Sequence, residues 1–330
     1  MSEKIRWGIL GCGKIANKFA SDLRLVADAE LTAIASRSGE KVKVFADTYR
    51  PGKVFDNYEA LVSCPDVDAI YVATPHGLHY EHVMLCLEHG KAVLCEKAFA
   101  LNLAQAREMI ELARRKGVFL MEAFWTRFLP HYKKVTEMIE AGKLGQIRMI
   151  QADFGFRAPE PKPQRLYDPQ LGGGSLLDIG IYPVFIAQSI LGKPTQVHAM
   201  ITPYETGVDE QCVITMKFAD GALAVLSSTF AVDTPVEAMI AGTEGRIVIR
   251  NRFHNAQATA ELIVGRQGPL PITFEQEDGF GYQYEARHVN ECLKAGLTES
   301  PIMTHGETLM LMETLDRIRR SCDLRYDCDV

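Results

Sequence analysis

The sequence predicts an α/β protein in two parts. An N-terminal doubly wound parallel sheet is followed by an α+β domain built on a large, mostly antiparallel open sheet. Three observations carry this. The first 125 residues alternate short apolar runs with helix-period stretches. Beyond them the strands follow one another without intervening helices. And 330 residues exceed what one hydrophobic core ordinarily organises. The rhythm changes at residue 124, so the expected domains are 1–124 and 125–330.

In the first part, "IRWGIL" (5–10), "LTAIAS" (31–36), "AIYVAT" (69–74), "AVLCEK" (92–97) and "VFLMEA" (118–123) are the apolar runs that strands buried on both faces require. Between them, "LHYEHVMLCLEHG" ends on Gly90, and "NLAQAREMIELARRKG" starts on an Asn N-cap and stops at Gly117. Strand, helix, strand with short connections implies right-handed crossovers. In the second part a helix at 129–142 precedes the strand "IRMIQADFGF", a Pro-rich loop (158–169) and a helix at 175–191. Five strand-like runs then lie between 195 and 251, and helices at 281–296 and 306–322 close the chain. In "EQCVITMKF" and "GALAVLSSTF" neither alternating face is strongly polar. One face is expected to pack on helices and the other on a second subunit, giving a homodimer through this sheet.

A formal net charge of −6 argues against nucleic acid or an anionic membrane as partner. The N-terminus carries no segment long enough for a signal peptide, and no run approaches a membrane span. Eight scattered cysteines without a CxxC pair read as buried free thiols, which points to the cytoplasm.

The stretch "WGILGCGKIANKFA" (7–20) places Gly11-Cys12-Gly13-Lys14-Ile15-Ala16 between a strand and a helix. Alone, such a turn is as often an ordinary strand–helix connection. In a βαβ context Gly11 permits the tight turn and Gly13 lets backbone approach a pyrophosphate. Ala16 allows close helix–strand packing, and the helix N-terminus at Lys14 and Ile15 favours the phosphate charge. At the end of the second strand, Ser36-Arg37-Ser38 stand where an NAD site ordinarily carries an acid. A guanidinium and two hydroxyls suit a 2′-phosphate, so NADP is the expected cofactor, with NAD possible.

Three further segments carry a resemblance: "ATPHGLHYEH" after the fourth strand, "CEKAFALN" (95–102) and "GGGSLLDIGIYPV" (172–184). In this order they resemble the Gfo/Idh/MocA oxidoreductase family. "MEAFWTRFLPHYKKV" and "GYQYEARHVNECLKAG" are similar to its branch of dimeric dihydrodiol dehydrogenases and NADP-linked xylose dehydrogenases. The resemblance spans essentially the whole chain. It implies a Rossmann domain and hydride transfer between NADP(H) and a small-molecule sugar, polyol or cyclic diol. It places Thr74, Pro75, His76, His79, Glu96 and Lys97 at the cofactor, together with Tyr282, and Arg127 near the substrate.

The residues support catalysis independently. Asp178 and Tyr182 lie four apart on a helical stretch and so share a face. Tyr182 stands where many relatives have His. A phenol with an ordinary pKa near 10 is a poor base, and a nearby ammonium such as Lys97 favours its ionised form. Tyr182 is then the proton acceptor, Lys97 tunes it and polarises the substrate oxygen, and Asp178 orients Lys97 or a substrate hydroxyl. Without that context Asp178 would be helix-dipole compensation and Tyr182 a half-buried aromatic. The family's usual Glu-Lys-Pro is here Glu96-Lys97-Ala98, and a cis bond before alanine costs roughly 3 kcal/mol, so a trans bond is expected.

Trp125, Phe154, Phe253 and Phe280 are candidates for an apolar substrate wall, although singly each is more often core. His76, His79 and His82 have helical spacing, but no Cys or carboxylate completes a zinc set, and no metal is expected. Two competing functions remain open at this point. One is a non-catalytic NAD(P)-sensing regulator of the same fold, against which Lys97, Asp178 and Tyr182 argue. The other is a zinc hydrolase built on the histidines.

Overall fold

The computed structural model describes residues 4–329. The chain forms two compact units. In the first, β1 (Ile5–Leu10), α1 (Lys14–Leu23), β2 (Ala29–Ala35), α2 (Gly39–Tyr49), β3 (Lys53–Phe55), α3 (Tyr58–Val62), β4 (Ala69–Val72), α4 (His79–Glu88), β5 (Ala92–Glu96), α5 (Leu103–Lys116) and β6 (Leu120–Ala123) follow in order. The six strands form one parallel sheet in the order β3-β2-β1-β4-β5-β6. Strand order reverses between β1 and β4, and in such sheets ligands bind beyond the carboxyl ends of the strands at that switch. The glycine turn sits there.

The second unit begins with α6 (Pro130–Glu140) and β7 (Ile147–Gly155). It continues through α7 (Gln164–Tyr167), α8 (Ile181–Leu191) and seven strands: β8 (Gln196–Pro203), β9 (Asp209–Lys217), β10 (Leu223–Thr229), β11 (Ala238–Gly242), β12 (Arg246–Arg250), β13 (Thr259–Ile263) and β14 (Leu270–Ile272). With β7 they make one sheet, β14-β13-β12-β11-β7-β10-β9-β8. Every pair is antiparallel except β7 with β10. The short, partly exposed β3, β13 and β14 had no apolar run to announce them. The stretch Pro169–Leu191 is long and apolar enough to cross a bilayer, contrary to the expectation that no run approaches a span. It is 83% buried and packs on β7 and β10, as a core helix does.

Two helices end the chain, α9 (Tyr282–Lys294) and α10 (His305–Ser321). Residues Glu277–Leu309 belong with the first unit, as do residues 125–128, so the division differs from a single cut at 124. The reason is a buried carboxylate. Asp22, at 1% exposure, accepts the N–H groups of Phe280, Gly281 and Tyr282 at 2.9–3.0 Å and so caps α9 from α1. Trp7 Nε1 donates to Asn290 Oδ1 at 3.0 Å, and Lys294 pairs with Asp28.

On the sheet of the second unit, Cys212, Ile214, Met216, Ala224 and Leu226 are buried. Their alternates include a row of exposed apolar residues: Met200 (75% exposed), Val213, Leu223 and Val225. Register places Met200 opposite Val213 and Val225 opposite Thr215, so the row lies on one face of β8–β10.

Candidate active site

The cofactor half of the site is built in the first unit. Gly11 has φ +99°, which favours glycine, and a Cβ there would lie 3.1 Å from the Ala73 carbonyl oxygen. Gly13 is the N-cap of α1. A Cβ on Gly13 would meet nothing closer than 3.9 Å, so protein packing does not demand this glycine, and the open space suits an incoming phosphate. No side chain caps α1, which leaves its first N–H groups, from exposed Lys14 and half-buried Ile15 onward, to a ligand. The residues present therefore fit a dinucleotide.

At the end of β2, Ser36 Oγ accepts the Ser38 N–H at 3.2 Å, and Ser38 Oγ accepts that of Lys41 at 3.4 Å as the N-cap of α2. Both hydroxyl oxygens are thus turn-forming and retain their own O–H to donate. The Arg37 guanidinium lies over the Tyr58 ring at 5.8 Å. Tyr58 meets the His82 ring edge-on, and His82 Nδ1 is 3.0 Å from the Thr74 hydroxyl.

Pro75 caps the short helical turn His76–Leu78, and the His76 ring lies 5.7 Å from that of His79. His79 is not on the cofactor surface that the resemblance implied. It is fully buried, with Nε2 2.8 Å from the Thr74 carbonyl and Nδ1 2.8 Å from that of Ala98. Burial lowers its pKa to about 4, so the neutral ring donates to one of the two carbonyls. His79 is a strut between the loops after β4 and β5. The nitrogens of His79 and Nδ1 of His82 therefore face protein oxygens, and among the described residues no group of three His, Cys, Asp or Glu is arranged to hold a metal ion.

The Lys97–Ala98 peptide is cis, contrary to the expectation of a trans bond. Fully buried Ala98 is held there with its carbonyl against His79. Glu96 accepts the Tyr71 hydroxyl and, through Oε2, the Lys97 N–H at 3.2 Å. Phe19 stacks on Tyr71 at 3.8 Å, and Tyr282 meets Phe19 edge-on and stacks on Trp125 at 4.6 Å. Two more buried acids flank Glu96. Burial lifts Glu285 well above the usual carboxylate range, and neither of its oxygens has a hydrogen-bond partner within the protein. Burial pushes Glu122 up to about 8, and its carboxyl oxygens, like those of Glu285, have no hydrogen-bond partner within the protein. Arg127 is tied to Glu307 at 2.8 Å and to the Ile302 carbonyl at 3.2 Å. Phe280 is 47% exposed, with the Lys18 ammonium 5.4 Å from its ring centre.

In the second unit, Ser175 and Leu176 hang on Asp209. Its Oδ2 accepts the Ser175 hydroxyl and the Leu176 N–H, both at 2.7 Å. Burial lifts Asp209 to about 6. A Cβ on Gly174 (φ +112°) would lie 2.4 Å from Asp209 Oδ1, so only glycine fits this start. Residues Leu176–Gly180 then form a π turn before α8, where Pro183 has no N–H to continue the ladder. This wider turn carries Asp178. Its carboxylate takes both guanidinium nitrogens of Arg165 at 3.1 and 2.9 Å, a bidentate pair. Tyr182, 6% exposed, lies 5.8 Å from Phe154 and 4.7 Å from His254.

The structure thus brings Asp178, Tyr182 and Phe154 together in one unit, and the glycine turn, Ser36-Arg37-Ser38, the loops after β4 and β5, Trp125 and Tyr282 in the other. Phe253 is core at 1% exposure, and its neighbour His254 faces Tyr182 instead. Arg165, His254, Asp209, Glu122 and Glu285 were not found in the sequence. Glu122 and Glu285 lie inside the stretches "MEAFWTRFLPHYKKV" and "GYQYEARHVNECLKAG", where nothing local marks a buried acid, and Arg165, His254 and Asp209 acquire their neighbours only in the tertiary fold.

The model of the oxidoreductase family with an NAD-binding Rossmann fold matches residues 5–124, and that of the GFO/IDH/MocA C-terminal domain matches 132–248. Trans-1,2-dihydrobenzene-1,2-diol dehydrogenase of Xenopus tropicalis is 38% identical over 97% of this chain and 99% of its own. That of Mus musculus is 36% identical over 98% and 99%. The chain belongs to the Gfo/Idh/MocA oxidoreductase family. This Gfo/Idh/MocA fold is also similar to an aldose-aldose oxidoreductase from Caulobacter crescentus complexed with glycerol (TM-score 0.89, 26% identity, 97% of this chain, 98% of the other). A 3-ketoreductase from Actinomadura kijaniata in complex with NADP and TDP-benzene gives a TM-score of 0.87 at 27% identity, with the same coverage.

The buried acids set a pH dependence. Because the folded-state pKa of Glu122 is raised to about 8, the folded protein holds a proton that the unfolded chain, with an ordinary pKa of about 4.3, releases. Its contribution to stability is full below the unfolded value and is lost as pH rises toward 8. Glu122→Gln is expected to weaken the fall in thermal midpoint between pH 5 and 8 and to raise the midpoint at pH 8. An unchanged pH slope in thermal scans would contradict a buried, protonated Glu122.

Proposed function

We propose that this protein is an NADP-preferring dehydrogenase that moves a hydride between NADP(H) and the CH–OH carbon of a sugar, polyol or cyclic diol. The observation that carries the reading is the uncapped start of α1 behind Gly11 and Gly13 in a Gfo/Idh/MocA chain. It is joined by a buried tyrosine and aspartate on one helical segment of the partner domain. Relatives bearing a diol dehydrogenase name and neighbours solved with NADP support the substrate and cofactor classes. The nicotinamide, when bound, accepts or returns the hydride.

This chain's own groups do the rest. Tyr182 takes the alcohol proton or returns it to a carbonyl, and the Lys97 ammonium stabilises charge on the substrate oxygen. Asp178, neutralised by Arg165, fixes the turn that presents Tyr182. A non-catalytic NAD(P)-sensing role would leave no reason to bury Asp178 and Tyr182 together. Eight free cysteines, six of them buried, support a reducing cytoplasm.

Tyr182→Phe is expected to lower turnover by about 10²–10⁴-fold while NADPH affinity stays within a factor of about two. Steady-state rates and fluorescence titration check both. A mutant keeping a third of wild-type turnover removes Tyr182 from proton transfer.

Arg37 is the proposed reader of the 2′-phosphate, by a charge-assisted pair, since no acid stands beside it to repel one. NADPH is expected to bind about ten- to a hundred-fold more tightly than NADH, and Arg37→Asp to reverse the order. Equal wild-type dissociation constants, or a mutant still favouring NADPH, would count against it.

The exposed row Met200, Val213, Leu223 and Val225 supports a homodimer through β8–β10. Sedimentation at micromolar concentration is expected to give twice the 36.7 kDa chain mass, and Met200→Asp with Val213→Asp to give the monomer. A wild-type protein sedimenting at the chain mass would exclude the dimer.

A further inference from the structure

Three glycines, Gly172–Gly174, open the segment that carries Asp178 and Tyr182. Two of them take positive φ, Gly172 at 70° and Gly174 at 112°. A glycine run loses the most backbone freedom on folding, so it keeps one shape only where its surroundings impose it. One side of this run is fixed by nearby chain. The Gly173 N–H donates to the Asp168 carbonyl at 2.9 Å, and that of Gly174 to the Leu166 carbonyl at 2.8 Å. A Cβ on Gly173 would lie 2.8 Å from that Leu166 oxygen, so the run is pressed against its own neighbours.

The other side is held by the segment after α10. The Tyr326 hydroxyl donates to the Gly173 carbonyl at 2.5 Å and stands 3.2 Å from where a Cβ on Gly174 would be. Tyr326 is 4% exposed, and burial lifts its phenol well above the usual range, so it remains a donor. Its own place is set by charge. Asp323 turns the chain back with φ 55°, and the Leu324 N–H returns to the Arg319 carbonyl at 3.0 Å. Buried Arg319 reaches Asp316 at 2.7 Å and pairs with both carboxylate oxygens of Asp329. Asp329 Oδ2 also accepts the Tyr326 N–H at 2.9 Å, and the Arg319 guanidinium lies 5.1 Å from the Tyr326 ring centre. Asn102 Nδ2 adds bonds to the Cys328 carbonyl at 3.1 Å and to Asp329 Oδ1 at 3.2 Å. A phenylalanine at 326 would fill the same space. What the hydroxyl adds is the hold on Gly173.

We propose that Tyr326 is a positioning residue for Tyr182, acting through the Gly172–Gly174 turn. Its hydroxyl fixes the Gly173 carbonyl, Asp209 fixes Ser175 and Leu176, and the π turn then delivers Tyr182. This deepens the proposed function and rests on Tyr182 as the proton acceptor. Proton transfer demands hydrogen-bond reach, and a misplacement of about 1 Å costs about 10²-fold. Contacts that bind the cofactor in the first unit are untouched by such a shift.

Tyr326→Phe removes the hydroxyl and keeps the ring. With NADP⁺ and the fastest substrate among D-xylose, D-glucose and trans-cyclohexane-1,2-diol, it is expected to lower kcat about ten- to a hundred-fold. KM for that substrate and the NADPH dissociation constant are expected to stay within a factor of about two. The decisive measurement is a double-mutant cycle with Tyr182→Phe. Once position 182 has no proton to move, losing the Tyr326 hydroxyl is expected to cost less than about twofold more. A general loosening of the fold would lower turnover alike in both backgrounds. Asp329→Asn, which removes the charge facing Arg319 and leaves the phenol in place, is expected to lower kcat about three- to ten-fold in the same pattern. It carries the cycle should Tyr326→Phe fail to fold. The proposal is overturned by a Tyr326→Phe protein that keeps kcat within about twofold of wild type, by a loss expressed in KM instead, or by equal losses in both backgrounds. A Tyr182→Phe protein that keeps a third of wild-type turnover is a different failure: it removes the underlying reading, and the role of Tyr326 with it.

Discussion

Asp22 is the constraint on which the first unit depends. A carboxylate at 1% exposure on a helix of the sheet's flank gathers three N–H groups that start α9. Without it those donors would be buried and unpaired, at a cost of about 1–3 kcal/mol each. The same contact brings Tyr282 to the edge of Phe19 and stacks it on Trp125. Phe19 in turn lies flat on Tyr71, whose hydroxyl binds Glu96 beside Lys97. One capping interaction thus fixes a line of aromatic side chains from α9 to the residue next to the proposed cation.

The two units solve one problem with opposite means. Around Lys97 the protein buries carboxyl groups and leaves Glu122 and Glu285 protonated, so that the apolar interior does not carry three negative charges. Around Tyr182 it does the reverse, pairing Asp178 bidentately with Arg165. Removing a partner there would strand a buried charge, which costs more than leaving a neutral acid unpaired.

Much of this was legible in the sequence for a definite reason. Strands β1, β2, β4, β5 and β6 are buried on both faces, and their apolar runs are unmistakable. Gly11, Gly13 and Arg37 lie in a local pattern whose chemistry is set by a few consecutive residues. Asp178 and Tyr182 were found as a pair, although the π turn between them was not, because a missing Pro183 N–H does not reveal which register the helix adopts. The cis Lys97–Ala98 peptide runs against the trans preference of a non-proline bond, a preference that carries no information about the packing around buried Ala98. His254 and Arg165 were invisible for another reason. Each gains its meaning from a partner many residues away, and neither a period nor a spacing encodes that. The fate of Phe253 illustrates it: one residue's difference in a loop exchanged a core aromatic for an imidazole.

That the first unit is assembled from three chain segments has a consequence for biosynthesis. Its sheet is complete once residue 123 has left the ribosome, yet the helix that covers α1 begins at Tyr282. At about 5–20 residues per second, the intervening chain takes roughly 8 to 32 s to make. For that interval Trp7 has no Asn290 to bond, and Phe19 lacks Tyr282. The nascent chain thus leaves the α1 surface that α9 will cover open for far longer than a domain that closes in sequence.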